Sequence, residues 1–159
     1  GARHGSGKVV GVAVRCQNLS VEIRQAEPRP QGAVVISTEF VTSYGMDRSR
    51  REVVLASLLE RCSERHGSLL AAHVRTNHVH IVAEAEARPE RVMNDLKSCA
   101  SRCLNRMGLD EPSRKRWAQR APRHGSTRWL WKRENVSAAI RYVVDEQGEP
   151  MAVLEKTET

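Results

Sequence analysis

A mixed α+β fold is predicted for this chain on three observations. Stretches rich in β-branched residues with a two-residue apolar period alternate with stretches of 3.6-residue period. Cap and stop residues (Asp47, Gly67, Pro89, Gly108, Gly148) stand at the seams between them. In the middle, Ser68 to Glu84 reads as one long buried strand in which His78 and His80 alternate with Val79, Ile81 and Ala83. At 159 residues the chain suits a single domain with a sizeable core.

The elements follow in order. Residues 1–8 read as a flexible arm or remnant. Their Gly and Lys lack the spacing of a phosphate loop, and Val9 stands where that loop needs Ser or Thr. Val9 to Arg15 and Leu19 to Gln25 pair as a hairpin, giving an N-terminal extension over residues 9–32. The main domain, residues 33–159, opens with a strand from Ala33 to Ser43. A helix capped by Asp47 or Ser49 runs to about His66, with Val54, Leu55, Leu58 and Cys62 as its apolar face and Gly67 as its stop. After the histidine strand, Pro89 opens a helix from Glu90 to Met107. Its buried stripe is Val92, Leu96, Cys99, Ala100 and Cys103. A short strand is expected over Ser126–Arg133. The last helix runs from about Val136 to Gln147 with Asn135 as N-cap, and Val136, Ala139, Ile140, Val143 and Val144 face inward. The tail from Met151 to Thr159 is expected to add an edge strand or stay mobile.

A net charge of +7 and a pI near 9.7 point to a polyanionic partner, of which nucleic acid is the commonest. The charge is concentrated. Residues 112–133 carry Arg114, Lys115, Arg116, Arg120, Arg123, Arg128, Lys132 and Arg133, no acidic residue, and all three tryptophans. Cations interleaved with aromatic rings suit a strand of nucleic acid, with phosphates on one and bases on the other. Trp129 and Trp131 share one face of the short strand, where a ring can equally plug the core. The four cysteines form no Cys-x-x-Cys pair, which speaks against a disulfide scaffold and for a reducing, cytoplasmic setting. No apolar run approaches the ~18 residues of a membrane span, and no secretory signal is seen.

His78 and His80 point to one side of their strand, about 7 Å apart at Cα, with the aliphatic residues on the other. Two imidazoles so fixed suit one metal ion, although such pairs also arise by chance on half-buried strands. On the last helix Tyr142 falls on the flank of the apolar face. Glu146, four residues on, lies beside it, whereas Gln147 points away. If that helix crosses the sheet, His78, His80 and Glu146 share a divalent ion beside Tyr142. A metal there polarises a phosphate oxygen, and a tyrosine hydroxyl is a nucleophile that holds phosphorus covalently.

Asn77-His78-Val79-His80-Ile81-Val82 resembles the His-hydrophobe-His signature of the HUH endonucleases. The order strand, helix, His-x-His strand, helix, basic segment, tyrosine helix is similar to their single-tyrosine transposase branch. That branch includes insertion-sequence transposases and REP-associated tyrosine transposases. The resemblance spans about residues 33–150. It implies an antiparallel β-sheet with helices packed on it, a ferredoxin/RRM-like HUH core. It implies an enzyme that nicks and rejoins single-stranded DNA near hairpins through a 5′-phosphotyrosine intermediate. Tyr142 would be the nucleophile and His78 and His80 metal ligands, with Mg²⁺ or Mn²⁺ bound. The third ligand in that family is often a Gln one helical turn after the tyrosine. Here Glu146 holds that place and Gln147 is out of phase, so Glu146 is favoured. Arg114, Lys115, Arg116, Arg120, Arg123, Trp129, Lys132 and Arg133 are the expected DNA contacts.

Two alternatives stand beside this reading. A replication-initiator nickase would use the same chemistry, but such enzymes often pair the tyrosine with a lysine one turn on, where this chain has Glu146. A domesticated, non-cutting binding module would be expected to have lost catalytic positions, and His78, His80 and Tyr142 are all present. Monomer and homodimer, with the tyrosine serving its own or its partner's site, both stand open.

Overall fold

The computed structural model describes residues 9–16, 19–26 and 32–158, with side chains from Gly32 to Lys156. Residues 1–8, 17, 18, 27–31 and 159, and with them the expectation of an arm over 1–8, lie outside the described residues. The elements are β1 (Val9–Cys16), β2 (Leu19–Ala26), β3 (Ala33–Glu39), α1 (Arg48–Arg61), β4 (Ser68–Val74), β5 (His78–Glu84), α2 (Pro89–Arg106), β6 (Ser126–Leu130), α3 (Arg133–Asp145) and β7 (Ala152–Glu158). The described strands form one seven-stranded sheet in the order β2-β1-β7-β4-β5-β3-β6, and every neighbouring pair is antiparallel. The succession β3-α1-β4-β5-α2-β6, with spatial order β4-β5-β3-β6, is the split βαβ arrangement of ferredoxin-like folds. An α+β architecture with an antiparallel sheet, as expected, is therefore observed.

The sheet separates two apolar layers. Val34, Ile36, Val79, Ile81, Ala83 and Leu154 face α1 and α2, meeting Val54, Leu55, Leu58, Val92, Leu96 and Leu104. On the other face Ala33, Ala71, Val82 and Val153 meet Ala139, Val143 and Val144 of α3. Alternation along the strands decides which residue goes where. The side of β5 that carries His78 and His80 is thus the side covered by α3.

Several boundaries differ from the sequence reading. Ser68–Glu84 is two strands, because the polar Arg75-Thr76-Asn77 breaks the run and Arg75 N–H closes a tight turn on the His78 carbonyl (2.9 Å). β3 stops at Glu39, since Phe40 bridges to Trp117 and Val41 N–H bonds the Arg116 carbonyl instead (2.7 Å). The α1 N-cap is Asp47, whose side chain accepts from Arg50 N–H (3.0 Å). That helix relaxes into a π-helical turn, Cys62–His66, before Gly67 (φ 120°). On α2, Cys99 and Cys103 are only half-buried, and Met93 and Leu104 take their places in the stripe. α3 begins at Arg133, with Lys132 rather than Asn135 at its cap. β6 ends at Leu130. The tail is no edge. β7 lies inside the sheet between β4 and β1, with Ala152, Val153 and Leu154 buried. β7 also joins the N-terminal hairpin to the main domain as one continuous sheet.

Candidate active site

His78 and His80 stand side by side on β5, their ring centroids 4.7 Å apart and nearly perpendicular (82°). α3 brings Tyr142 over them: its ring is 6.0 Å from that of His80, again edge to face. Tyr142 stays 51% exposed although Val143 and Val144 beside it are buried. A ring on the flank of the helix thus reaches the histidines while one side remains open to a substrate.

The imidazoles are built to stay neutral. Desolvation, with the Arg75 cation and the neighbouring rings, pushes the His80 pKa down to about 4 and lowers that of His78. His78 Nδ1–H donates to Asn77 Oδ1 (2.6 Å), which leaves the Nε2 lone pair free to ligate. A divalent ion would therefore meet two neutral imidazoles on a rigid strand, and these donors fit one.

The third position departs from the sequence reading. α3 ends at Asp145, and Glu146, its C-cap, has left helical geometry (φ −112°, ψ 17°). Helical phase no longer governs Gln147, and Gly148 (φ 81°) turns the chain just beyond it. The Gln147 side chain lies close enough to His78 and His80 to raise the pKa of both, against the lowering by burial. Its amide nitrogen donates to the Tyr142 carbonyl (3.4 Å), which leaves the amide oxygen for the imidazoles. Glu146 is exposed, and among the described residues no group of three His, Cys, Asp or Glu side chains is gathered closely enough to hold a metal. Gln147, rather than Glu146, is thus the side chain beside the two imidazoles.

A residue that the sequence reading passed over fixes this arrangement. His73 on β4 is fully buried and lies directly opposite His80. Its Nε2 accepts from Met151 N–H (3.1 Å), so Nδ1 carries the proton and faces the Val143 carbonyl (3.3 Å). One neutral imidazole thereby ties the sheet to both sides of the segment that bears Gln147, one of them adjacent to Tyr142. Burial drives its pKa down to about 4. Its signal was its place in an apolar run, where a polar side chain needs internal partners.

The basic segment runs along the end of the sheet that carries His78 as far as Arg123, and then follows β6 toward the opposite end, where Leu130 and Glu84 both pair with Ala33. Ala118 N–H bonds the Glu39 carbonyl (3.0 Å), Glu39 N–H bonds the Arg123 carbonyl (3.2 Å), and Glu39 pairs with His78 across the strands. Lys115, Arg120, Lys132 and Arg133 are exposed. Arg114 is exposed as well, reaching the Ser43 carbonyl and the Tyr44 ring. Arg123 lies beside Glu39 (3.6 Å) and donates to the Phe40 carbonyl (2.9 Å). Arg116 does not belong to the expected contacts. It is buried, pairs with Asp110 (3.2 Å) and donates to Asn105 (2.7 Å). Burial works against the Asp110 carboxylate, but hydrogen bonds from Tyr44, Arg50 and Arg116 outweigh it and hold its pKa below the ordinary value. This is a structural hub.

The tryptophans divide similarly. Trp117 stacks on Phe40 (4.5 Å) and donates to Ser101 Oγ (3.0 Å), so it is a core plug. Trp129 is half-buried against the α1/α2 layer, on the sheet face away from the histidines. Trp131 is 73% exposed.

No helix of the described residues is long and apolar enough to cross a membrane. Among curated protein sequences nothing matches the chain significantly. A solved structure of a REP-associated tyrosine transposase bound to a REP hairpin is similar in fold, with a TM-score of 0.51 over 75% of this chain and 68% of that one. At 10% identity, that likeness shows the fold alone. The family described as "Transposase IS200 like" matches residues 35–122, from β3 through the histidine strand into the basic segment and more than half of the chain. The chain belongs to this family, the IS200-like, single-tyrosine HUH transposases.

Proposed function

We propose that the protein cuts and rejoins single-stranded DNA beside a hairpin, with Tyr142 as nucleophile and a divalent ion, Mg²⁺ or Mn²⁺, held by His78, His80 and Gln147. The observation that carries this reading is the exposed Tyr142 ring lying 6.0 Å from His80 within one chain. Two imidazoles favour Mn²⁺ over Mg²⁺. The bound ion supplies Lewis acidity at a phosphate oxygen and a fixed point for the scissile group.

The chain's own residues do the rest. Asn77 sets the His78 tautomer, and Gln147 spans the imidazoles and the Tyr142 carbonyl. His73 holds the nucleophile helix against the sheet. The Tyr142 hydroxyl attacks phosphorus, the Tyr O–P bond forms, and the P–O3′ bond breaks. The 5′ phosphate stays on the protein and a free 3′-hydroxyl leaves. The phosphotyrosine preserves the phosphodiester's energy, so a second 3′-hydroxyl reverses the step on another strand without ATP.

The exposed cations Arg114, Lys115, Arg120 and Arg123 belong to the segment at the His78 end of the sheet and are suited to phosphates of the flanking strand. The hairpin as partner is supported by the fold shared with the hairpin-bound transposase. The polarity of the cut tests this reading. Incubation with Mn²⁺ and hairpin-bearing single strands is expected to leave a 3′ end that a polymerase extends and a 5′ end blocked by protein. A product with a free 5′ phosphate would contradict it.

A further inference from the structure

We propose that Trp131 is a stacking platform for a base of single-stranded DNA, on the sheet face opposite His78, His80 and Tyr142. The proposal rests on the reading that single-stranded DNA is the substrate, and adds a second place where the strand is held.

An exposed tryptophan is usually mobile or covered; this one is open and fixed. Its ring lies parallel to that of Trp129 at 5.0 Å and 16°, and Trp129 is itself packed on the core. Both rings rest on the backbone at Gly32. A Cβ there would stand 2.7 Å from two atoms of the Trp131 ring, closer than packing allows, and a tight 3.3 Å from Trp129. Gly32 thus makes room for the pair. The result is a preorganised aromatic surface that loses little freedom when something stacks on it.

Charge selects the occupant. Lys132 and Arg133 follow the ring directly and are exposed. A nucleobase brings a flat π face together with a phosphate for those cations. A second copy of a chain of net charge +7 would bring like charges together instead.

The position also connects to the catalytic face. β6 pairs only with β3 among the described strands, so it is the edge of the sheet. Ser126 and His80 both pair with Ser37, which aligns the start of β6 with the histidines. Arg128, exposed, pairs with Val35, a residue packed on the α3 layer, and so lies on the histidine side of β6. A strand leaving Tyr142 passes Arg128, crosses the edge and reaches Trp131.

The test is binding of a labelled single-stranded oligonucleotide, by fluorescence anisotropy, in the Tyr142→Phe background with EDTA. Trp131→Ala is expected to weaken affinity roughly 5- to 150-fold, the range for loss of one base–aromatic stack. The log–log salt slope is expected to stay at the parent's value, because the ring neutralises no phosphate. Trp131→Phe recovers most of the affinity, and Gly32→Ala, which unseats the ring, weakens binding as Trp131→Ala does. Unchanged affinity for Trp131→Ala, while the parent binds, overturns the platform and leaves the substrate reading standing. A dimer that becomes monomeric on Trp131→Ala with unchanged DNA affinity overturns it in favour of a contact between copies. A folded parent that binds no single strand removes both readings.

Discussion

Replacing His73 with Asn tests the clamp that holds the tyrosine helix. The imidazole bonds Met151 N–H and faces the Val143 carbonyl, and the shorter Asn reaches only one of them. Near neutral pH the variant is expected to lose about 1–3 kcal/mol, the usual cost of a buried polar group left without its partner. The loss depends on pH. His73 falls from 6.5 in the unfolded chain to about 4 in the fold. Above 6.5 both states hold it neutral and it contributes no slope. Between 6.5 and about 4 the unfolded chain binds a proton that the native state refuses, so stability is lost as pH falls. At ~1.4 kcal/mol per unit, the parent loses roughly 3 kcal/mol through this one group. His80, also held at about 4, acts in the same direction, while Glu84, raised to about 7 by burial, opposes it as pH rises. Both remain in parent and variant, so the difference between the two is dominated by His73, with a smaller part from the His80 pKa that His73 helps to lower. Urea unfolding in EDTA, followed from neutral pH down to about 4.5, is expected to show the two stabilities converging. A constant difference across that range would refute a buried neutral imidazole at this position.

Other expectations follow from the same geometry. His80→Ala is expected to abolish Mn²⁺ binding by calorimetry without loss of fold, Gln147→Ala to weaken it, and Glu146→Ala to leave it unchanged; equal effects at 146 and 147 would contradict the third ligand assigned here. Neutralising Lys115, Arg120 and Lys132 together is expected to weaken binding to all single strands alike and to flatten the log–log salt slope, by at most about 0.7 for each phosphate that no longer meets a cation. Arg116→Ala is expected to behave differently, lowering stability by about 1–3 kcal/mol because Asn105 and Asp110 each lose a buried donor, while Arg50 and Tyr44 still meet the Asp110 carboxylate.

The sequence carried the sheet and its chemistry where alternation and capping were strong. The faces of β5, the Asp47 cap and the inward residues of α3 all follow from period alone. What it did not carry was set by contacts that periodicity does not encode. β7 is interior because β1 pairs with it from the other end of the chain. Arg116 read as one more surface cation in a basic run, and only Asp110 and Asn105 from the end of α2 and beyond make it a core group. The side of the chain on which Gln147 lies does not follow from helical phase, because α3 ends at Asp145, two residues before it. Period puts Trp129 and Trp131 on one side, but which ring is covered depends on the α1/α2 layer that packs against Trp129.

The central claim is that Tyr142 attacks phosphorus, and Tyr142→Phe tests it most directly. The change removes one oxygen from a half-exposed ring and almost no volume, so it separates chemistry from packing. The measurement is a denaturing gel of end-labelled single-stranded DNA carrying a hairpin and its flank, incubated with Mn²⁺. The parent is expected to give a protein-linked band, and the Phe variant to fold, bind the same DNA and give none. A covalent band that persists in Tyr142→Phe would show that another residue is the nucleophile.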